Sequence, residues 1–149
     1  MTTEVIRMTG KRKIKVMVEI NTALLEALHE QACASERLRM NKDLRTSSAD
    51  GSQRMLNALQ PGTKVPVHRH RETAETIICL QGCMDVVVYD DHAVETHRMR
   101  LCPAEGKYGV QLSAGAWHSV EVYEPSTIFE AKDGASAPAL PEDIMQIEK

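Results

Sequence analysis

The residues Ile14, Val16, Val18 and Ile20 recur at a period of two, which predicts a half-buried strand over Ile14–Ile20. Asn21 follows as a helix N-cap, because its side chain accepts from the free backbone N–H groups beyond it. Across Thr22–Arg37 the spacing changes to that of a helix. Leu24, Leu25, Leu28 and Ala32 form one stripe, and Glu26, His29 and Glu30 turn elsewhere. His29 reads as a solvated helix residue. From Arg37 to Gly51 the chain is polar and loop-like, with Arg37, Arg39, Asn41, Lys42 and Arg45 among turn formers.

Strand-like runs then follow in quick succession: Met55–Leu59, Lys64–His70, Thr76–Leu80, Met84–Tyr89, Val94–Leu101, Val110–Leu112, His118–Tyr123 and Thr127–Ala131. Turn signals at Pro61-Gly62, Gln81-Gly82, Asp90-Asp91, Ala114-Gly115 and Glu124-Pro125 separate most of them. Many short strands after one helix imply an antiparallel sandwich or barrel. The expected organisation is one domain over 1–149. Residues 1–50 supply a strand, a helix and a basic loop, 51–131 the barrel, and 132–149 an irregular tail or an arm onto a partner chain.

Composition narrows the function. With one Trp, one Phe and three Tyr, the chain lacks the stacking platforms of single-strand nucleic-acid binders. Its net charge of −3 provides no global positive field, and the run Lys11-Arg12-Lys13 is too short to change that. No apolar run has the length of a membrane helix. Glu4, Arg7 and the basic cluster stand where a secretory signal would be apolar, so the expected location is cytoplasmic. Four cysteines are too few for a disulfide-built fold. Cys79-x3-Cys83 without a second ligand pair reads as small buried side chains rather than a zinc site.

The chemistry concentrates in His68, His70, Glu75 and His118. Residues two apart in an extended segment point the same way, so His68 and His70 enter one interior while Val67 and Arg69 face outward. A hairpin connection over Arg71–Ala74 brings the Glu75 carboxylate opposite them, and His118 adds a donor from a neighbouring strand. Three imidazoles and one carboxylate suit one divalent first-row ion per chain. Four ligands on an octahedral ion leave two positions open, as Fe(II), Mn(II) or Ni(II) would use; Zn(II) more often prefers four-coordination.

Written as Gly62-x5-His68-x-His70-x4-Glu75-x6-Gly82, the pattern has a chance frequency on the order of one in ten thousand. It resembles the first cupin motif at every position. Ser113-Ala-Gly115-Ala-Trp-His118 resembles the second, with Ser113 where proline is usual and Val122 where asparagine is usual. A closer resemblance, over roughly Ile14 to Ala131, is to small cupin-fold metalloproteins of the WbuC type, found with genes for bacterial surface polysaccharide such as O-antigen. Ser35-Glu-Arg-Leu-Arg-Met-Asn41, Gln53-Arg-Met-Leu-Asn-Ala-Leu-Gln-Pro-Gly-Thr63, Gly115-Ala-Trp-His118 and Ile128-Phe-Glu-Ala-Lys132 carry it. The resemblance implies an all-β fold, the cupin double-stranded β-helix or jelly-roll barrel, with the metal in its mouth.

Arg39 and Asn41 are candidates to bind substrate at that mouth, as is Trp117 beside a ligand. Tyr108 is a candidate proton donor, and Glu75 a candidate base as well as a ligand. The expected function is a cytosolic metalloenzyme, an isomerase or a dioxygenase, acting on a carbohydrate-related or other small polar metabolite. The alternative is a non-catalytic cupin that binds a sugar or an anion through its metal. Edge-strand pairing predicts a homodimer.

Overall fold

The computed structural model describes residues 5–9, 14–134 and 138–146. The elements in chain order are β1 (Val5–Thr9), β2 (Ile14–Val18), α1 (Thr22–Ala34), β3 (Arg39–Asp43), β4 (Ser52–Leu59), β5 (Glu75–Gln81), β6 (Met84–Tyr89), β7 (Glu95–Leu101), β8 (Gly109–Leu112), β9 (Trp117–Val122) and β10 (Ser126–Asp133). Single 3₁₀ turns occupy Pro103–Glu105 and Pro141–Asp143. Among the described residues all strand pairing is antiparallel, in a two-stranded sheet of β1 and β2, a five-stranded sheet ordered β3-β4-β10-β5-β8 and a three-stranded sheet ordered β7-β6-β9. Leu59, Ile77, Cys79, Met84, Val86, Leu101, Leu112, Val122 and Ile128 fill the space between them. This is an antiparallel barrel, as the strand pattern predicts, with the jelly-roll form that the cupin resemblance implies.

Helix α1 starts where the cap predicts, with Asn21 Oδ1 accepting from Leu24 N at 3.0 Å. It ends at Ala34, three residues before Arg37. Leu24, Leu28 and Ala32 pack on Leu56 and Ala58 of β4, on the outside of the larger sheet. His29 is not a solvated helix residue. Its Nε2 lies 2.8 Å from Thr127 Oγ1 and its Nδ1 2.8 Å from Gln60 Nε2, so it joins the helix to the sheet.

The polar stretch after the helix is not a loop throughout, because β3 pairs along β4 from Arg39↔Leu59 to Asp43↔Met55. Its alternation is that of an edge strand. Arg39 and Asn41 face the barrel cavity, and Met40 packs with the helix cluster. Lys64–His70, in contrast, is extended chain with single bridges at His68 rather than a strand. Of the face expected to be half-buried, Val18 at the end of β2 and Ile20 just beyond it are 38% and 51% exposed. The side chains of Ile14 and Val16, the run Lys11-Arg12-Lys13 and residues 135–137 lie outside the described residues.

Within the tail, the described residues 138–146 are held against their own chain. Asp143 O accepts from Arg69 N at 3.0 Å, Met145 N donates to Val67 O at 2.8 Å, and the Asp143 carboxylate takes Arg69 Nε and Arg71 Nε at 3.0 and 2.6 Å. Residues 138–146 therefore lie along the segment that carries His68. Among the described residues no helix is long and apolar enough to cross a membrane.

Candidate metal centre and cavity

Three separate segments converge at one end of the barrel. His68 and His70 come from the extended chain before β5, Glu75 opens β5, and His118 is the second residue of β9. Main-chain bonds hold them together. His68 and His118 exchange bonds with each other, and Gly115 N donates to His70 O at 2.7 Å. The donor atoms of His68, His70 and His118 lie within 4.8 Å of one another. Ring centroids of His68 and His118 are 4.3 Å apart, and those of His68 and His70 5.2 Å.

The backbone also sets the tautomers. His68 Nδ1 lies 2.8 Å from Pro66 O, and His118 Nδ1 2.9 Å from Ala116 O. A carbonyl accepts only, so each Nδ1 carries the proton in the neutral ring and each Nε2 presents a lone pair inward. Glu75 Oε2 lies beside two of the three imidazoles, 2.9 Å from His70 Nε2 and 3.4 Å from His118 Nε2. It is buried and accepts no well-formed hydrogen bond. Lone pairs converging on a buried carboxylate oxygen repel unless a cation lies between them, so the donor set fits a divalent ion.

The electrostatics agree. Burial, and next the charge of His118, push His68 down to about 4, keeping it neutral. Burial raises the Glu75 carboxyl, but the imidazoles of His118 and His70 more than offset this and bring it down to about 2. So acidic a group is a good ligand and a poor base. His118 is lowered by burial and raised by Glu75, with a net upward shift.

These groups open into a cavity of about 310 Å³. Arg39 and Asn41 line it, as the edge-strand alternation requires, and Arg37 stands at its rim. Arg39 Nη1 donates to Lys64 O at 2.9 Å, which fixes its guanidinium beside the opening. Trp117 does not wall the cavity. It alternates with His118 on β9 and so faces out, its Nε1 donating to Asp91 Oδ1 at 3.0 Å under the Arg69 guanidinium. Tyr108 is 62% exposed and also lies away from the site. The register Glu75↔Leu112 and Ile78↔Gly109 places it at the opposite end of β8.

Sequence reasoning missed Glu130, Asn57 and the arm residue Ile144, all of which line the cavity. Burial first and the Glu75 charge second push the Glu130 carboxyl up to about 7, and a hydrogen bond from Asn57 opposes them. Gln53 Nε2 also approaches Glu130 at 3.4 Å. The signal was present in the alternation of β10, where Ile128 faces the core and Glu130 shares its face.

Two antiparallel sheets with a histidine cluster at one open end define a barrel of the cupin fold. More particularly, the chain belongs to the family described as a domain of unknown function (DUF6016), whose profile matches residues 20–101. Oxalate decarboxylase of Bacillus subtilis, solved in work on its Mn(II) centres, superposes with a TM-score of 0.53 at 16% identity, over 73% of this chain and 28% of that one. The chain thus spans little more than a quarter of that enzyme's length. A cupin 2 domain-containing protein from Halorhodospira halophila gives 0.52 at 18% identity, over 70% of this chain and 71% of its own. A cupin superfamily protein from Desulfitobacterium hafniense gives 0.51 at 17%, over 64% and 76%. At these identities the likeness is one of fold. A search of the curated proteins returned no match.

Proposed function

We propose that the chain is a divalent-metal cupin in which His68, His70, Glu75 and His118 hold one ion, of Fe, Mn, Ni or Zn. The observation that carries this reading is the convergence of the His68, His70 and His118 donor atoms within 4.8 Å of one another, with the buried Glu75 Oε2 beside two of them. A divalent cation held there would polarise a ligand oxygen or acidify a bound water. The chain's own residues supply the rest. Arg39 and Arg37 place positive charge at the rim, suited to a small anionic or hydroxyl-rich metabolite, and Asn41 offers both a donor and an acceptor. Glu130, held near neutrality with Asn57 beside it, is the side chain best placed to hold or release a proton inside the cavity.

In this reading residues 1–149 form one cupin domain of the WbuC type, cytoplasmic and enzymatic. It isomerises or oxidises a carbohydrate-related metabolite of surface-polysaccharide synthesis. The exposed apolar residues Met17, Val18 and Ile20 support pairing as a homodimer. The second reading, a non-catalytic sugar or anion binder, keeps the same metal and cavity. The test is elemental analysis of protein made without chelator, followed by spin-resonance spectra of the Mn(II)-loaded protein titrated with sugar acids. One ion per chain with a ligand-dependent spectrum supports the proposal. A chain that holds no ion after exposure to all four metals overturns it. Product formation separates the enzyme from the binder.

A further inference from the structure

A second cluster of chemistry lies at the other end of β6. Its outermost cross-strand pair is Met84↔Leu101, and one step beyond it stand Cys83 and Cys102, directly opposite each other. Val88, the partner of His118, lies five positions along the chain from Cys83, a distance of about 17 Å at the usual rise of a strand. The cluster is therefore independent of the metal centre.

The main-chain groups of both cysteines are committed elsewhere. Cys83 N takes Ser126 Oγ and Cys83 O accepts from Tyr123 N and Glu124 N, while Cys102 N and O both pair with Lys107. The two residues thus face each other as a non-hydrogen-bonded pair. In that register Cα atoms approach to about 4.5 Å, inside the range a disulfide spans. Both residues are free thiols, and each is 7% exposed. Their sulfurs and a Glu105 carboxylate oxygen lie within 4.8 Å of one another.

The neighbouring charges decide what the cluster does. Arg100 Nη1 lies 3.7 Å from Cys83 Sγ and 3.8 Å from Glu105 Oε2, and Lys107 Nζ lies 4.0 Å from Glu105 Oε1. Two thiols and a carboxylate would suit a soft dication, but two cationic side chains at the edge oppose one. The same guanidinium stands against the Cys83 sulfur, which also donates to Glu105 Oε2 at 3.9 Å. Arg100 is itself held in place by Asp85, at 2.7 Å from Nε to Oδ1. The Cys102 thiol, pushed up to about 11 by its hydrogen bonds to Cys83 and Glu105, keeps its proton until its partner has reacted.

We propose that Cys83 and Cys102 are a redox-active dithiol that a small peroxide closes into a cross-strand disulfide between β6 and the end of β7. The Cys83 thiolate attacks one peroxide oxygen, the O–O bond breaks, and hydroxide leaves, giving a sulfenic acid at Cys83. Cys102 then attacks that sulfur, the S–O bond breaks, and water leaves. Two thiols and one hydrogen peroxide become one disulfide and two waters. Low-molecular-weight thiols reverse the step.

The test treats the reduced full chain with stoichiometric hydrogen peroxide at neutral pH, then alkylates and maps the peptides. A Cys83–Cys102 cross-link, with the exposed Cys33 still alkylated, supports the proposal. In Cys102→Ser, dimedone traps a sulfenic acid at Cys83. Arg100→Gln slows the reaction about tenfold and Arg100→Lys restores it, as a charge effect requires. Oxidation of Cys33 ahead of Cys83, or a cross-link to Cys79 instead, overturns it. So does a bound zinc ion that survives His68→Ala and is lost in Cys83→Ser, which would make the cluster a metal site. The wild-type map decides even if a variant fails to fold.

Discussion

His68 and His118, fifty residues apart in the chain, hold each other by the backbone: His68 N donates to His118 O at 3.0 Å and His118 N donates to His68 O at 2.9 Å. The bridge fixes two donors before any ion arrives, so side chain and scaffold separate cleanly. His68→Ala keeps both main-chain bonds and removes one ligand. Divalent-metal affinity should fall by more than about a hundredfold, beyond the 10–100-fold cost of losing a supporting hydrogen bond alone. The metal-free circular dichroism spectrum and melting temperature should stay close to wild type. Titration calorimetry with Mn(II) or Zn(II) checks the first outcome and thermal denaturation the second.

Metal release should follow His118 rather than His68. A ligating imidazole must be neutral, and in the metal-free protein His118 keeps its proton above its ordinary value of 6.5 while His68 stays neutral down to about 4. The ion therefore competes with a proton at His118 first. Its apparent affinity should rise as pH climbs through neutrality and fall about tenfold per unit, for each proton displaced, as pH drops below 6. Occupancy measured by equilibrium dialysis from pH 8 to pH 4 follows this course; full occupancy at pH 4 contradicts it.

Much of this centre was legible because its residues are fixed by local rules. The two-residue spacing of His68 and His70 sets their shared direction, and the glycines at 82 and 115 mark turns that only positive φ can make. Asn21 and the leucine stripe gave the start and buried face of α1. What escaped notice depends on partners distant in sequence. Arg39–Asp43 has no hydrophobic alternation, because one face of an edge strand lines a polar cavity. His29 is polar on a polar helix face until Thr127 and Gln60 arrive, and the tail is irregular until Asp143 meets Arg69 and Arg71. Trp117 was decidable from alternation on β9, since it cannot share the face of His118.

Glu130→Gln should stabilise the metal-free protein at alkaline pH and not at acid pH. The Glu130 carboxyl is raised from 4.5 to about 7, so between those values the fold binds a proton that the unfolded chain releases. Stability from this group is complete below 4.5 and is lost as pH rises to about 7. A neutral amide removes that loss, a gain on the order of 2–3 kcal/mol at pH 8 relative to pH 5. Urea denaturation of both proteins at the two pH values measures it; an equal shift at both pH values contradicts it. Loading the metal should shrink the difference, because a nearby dication lowers the Glu130 carboxyl.

The two turn glycines should respond unequally to the same added methyl. Gly82 has φ +99°, and a Cβ there would stand 2.3 Å from Ser126 Oγ and 2.5 Å from Pro125 O. The second of these is backbone at the start of β10, so it cannot swing aside. Gly115 has φ +82°, but the nearest atom to its Cβ would be Arg71 O at 3.9 Å. Gly115→Ala should therefore cost only the left-handed strain, about 1–2 kcal/mol. Gly82→Ala adds a backbone collision between β5–β6 and β10, and should cost at least about 3 kcal/mol or abolish folding. Chemical denaturation of the two variants side by side checks the order. Equal losses would mean that the turn before β6 has room to move and that Gly82 is needed for its conformation alone.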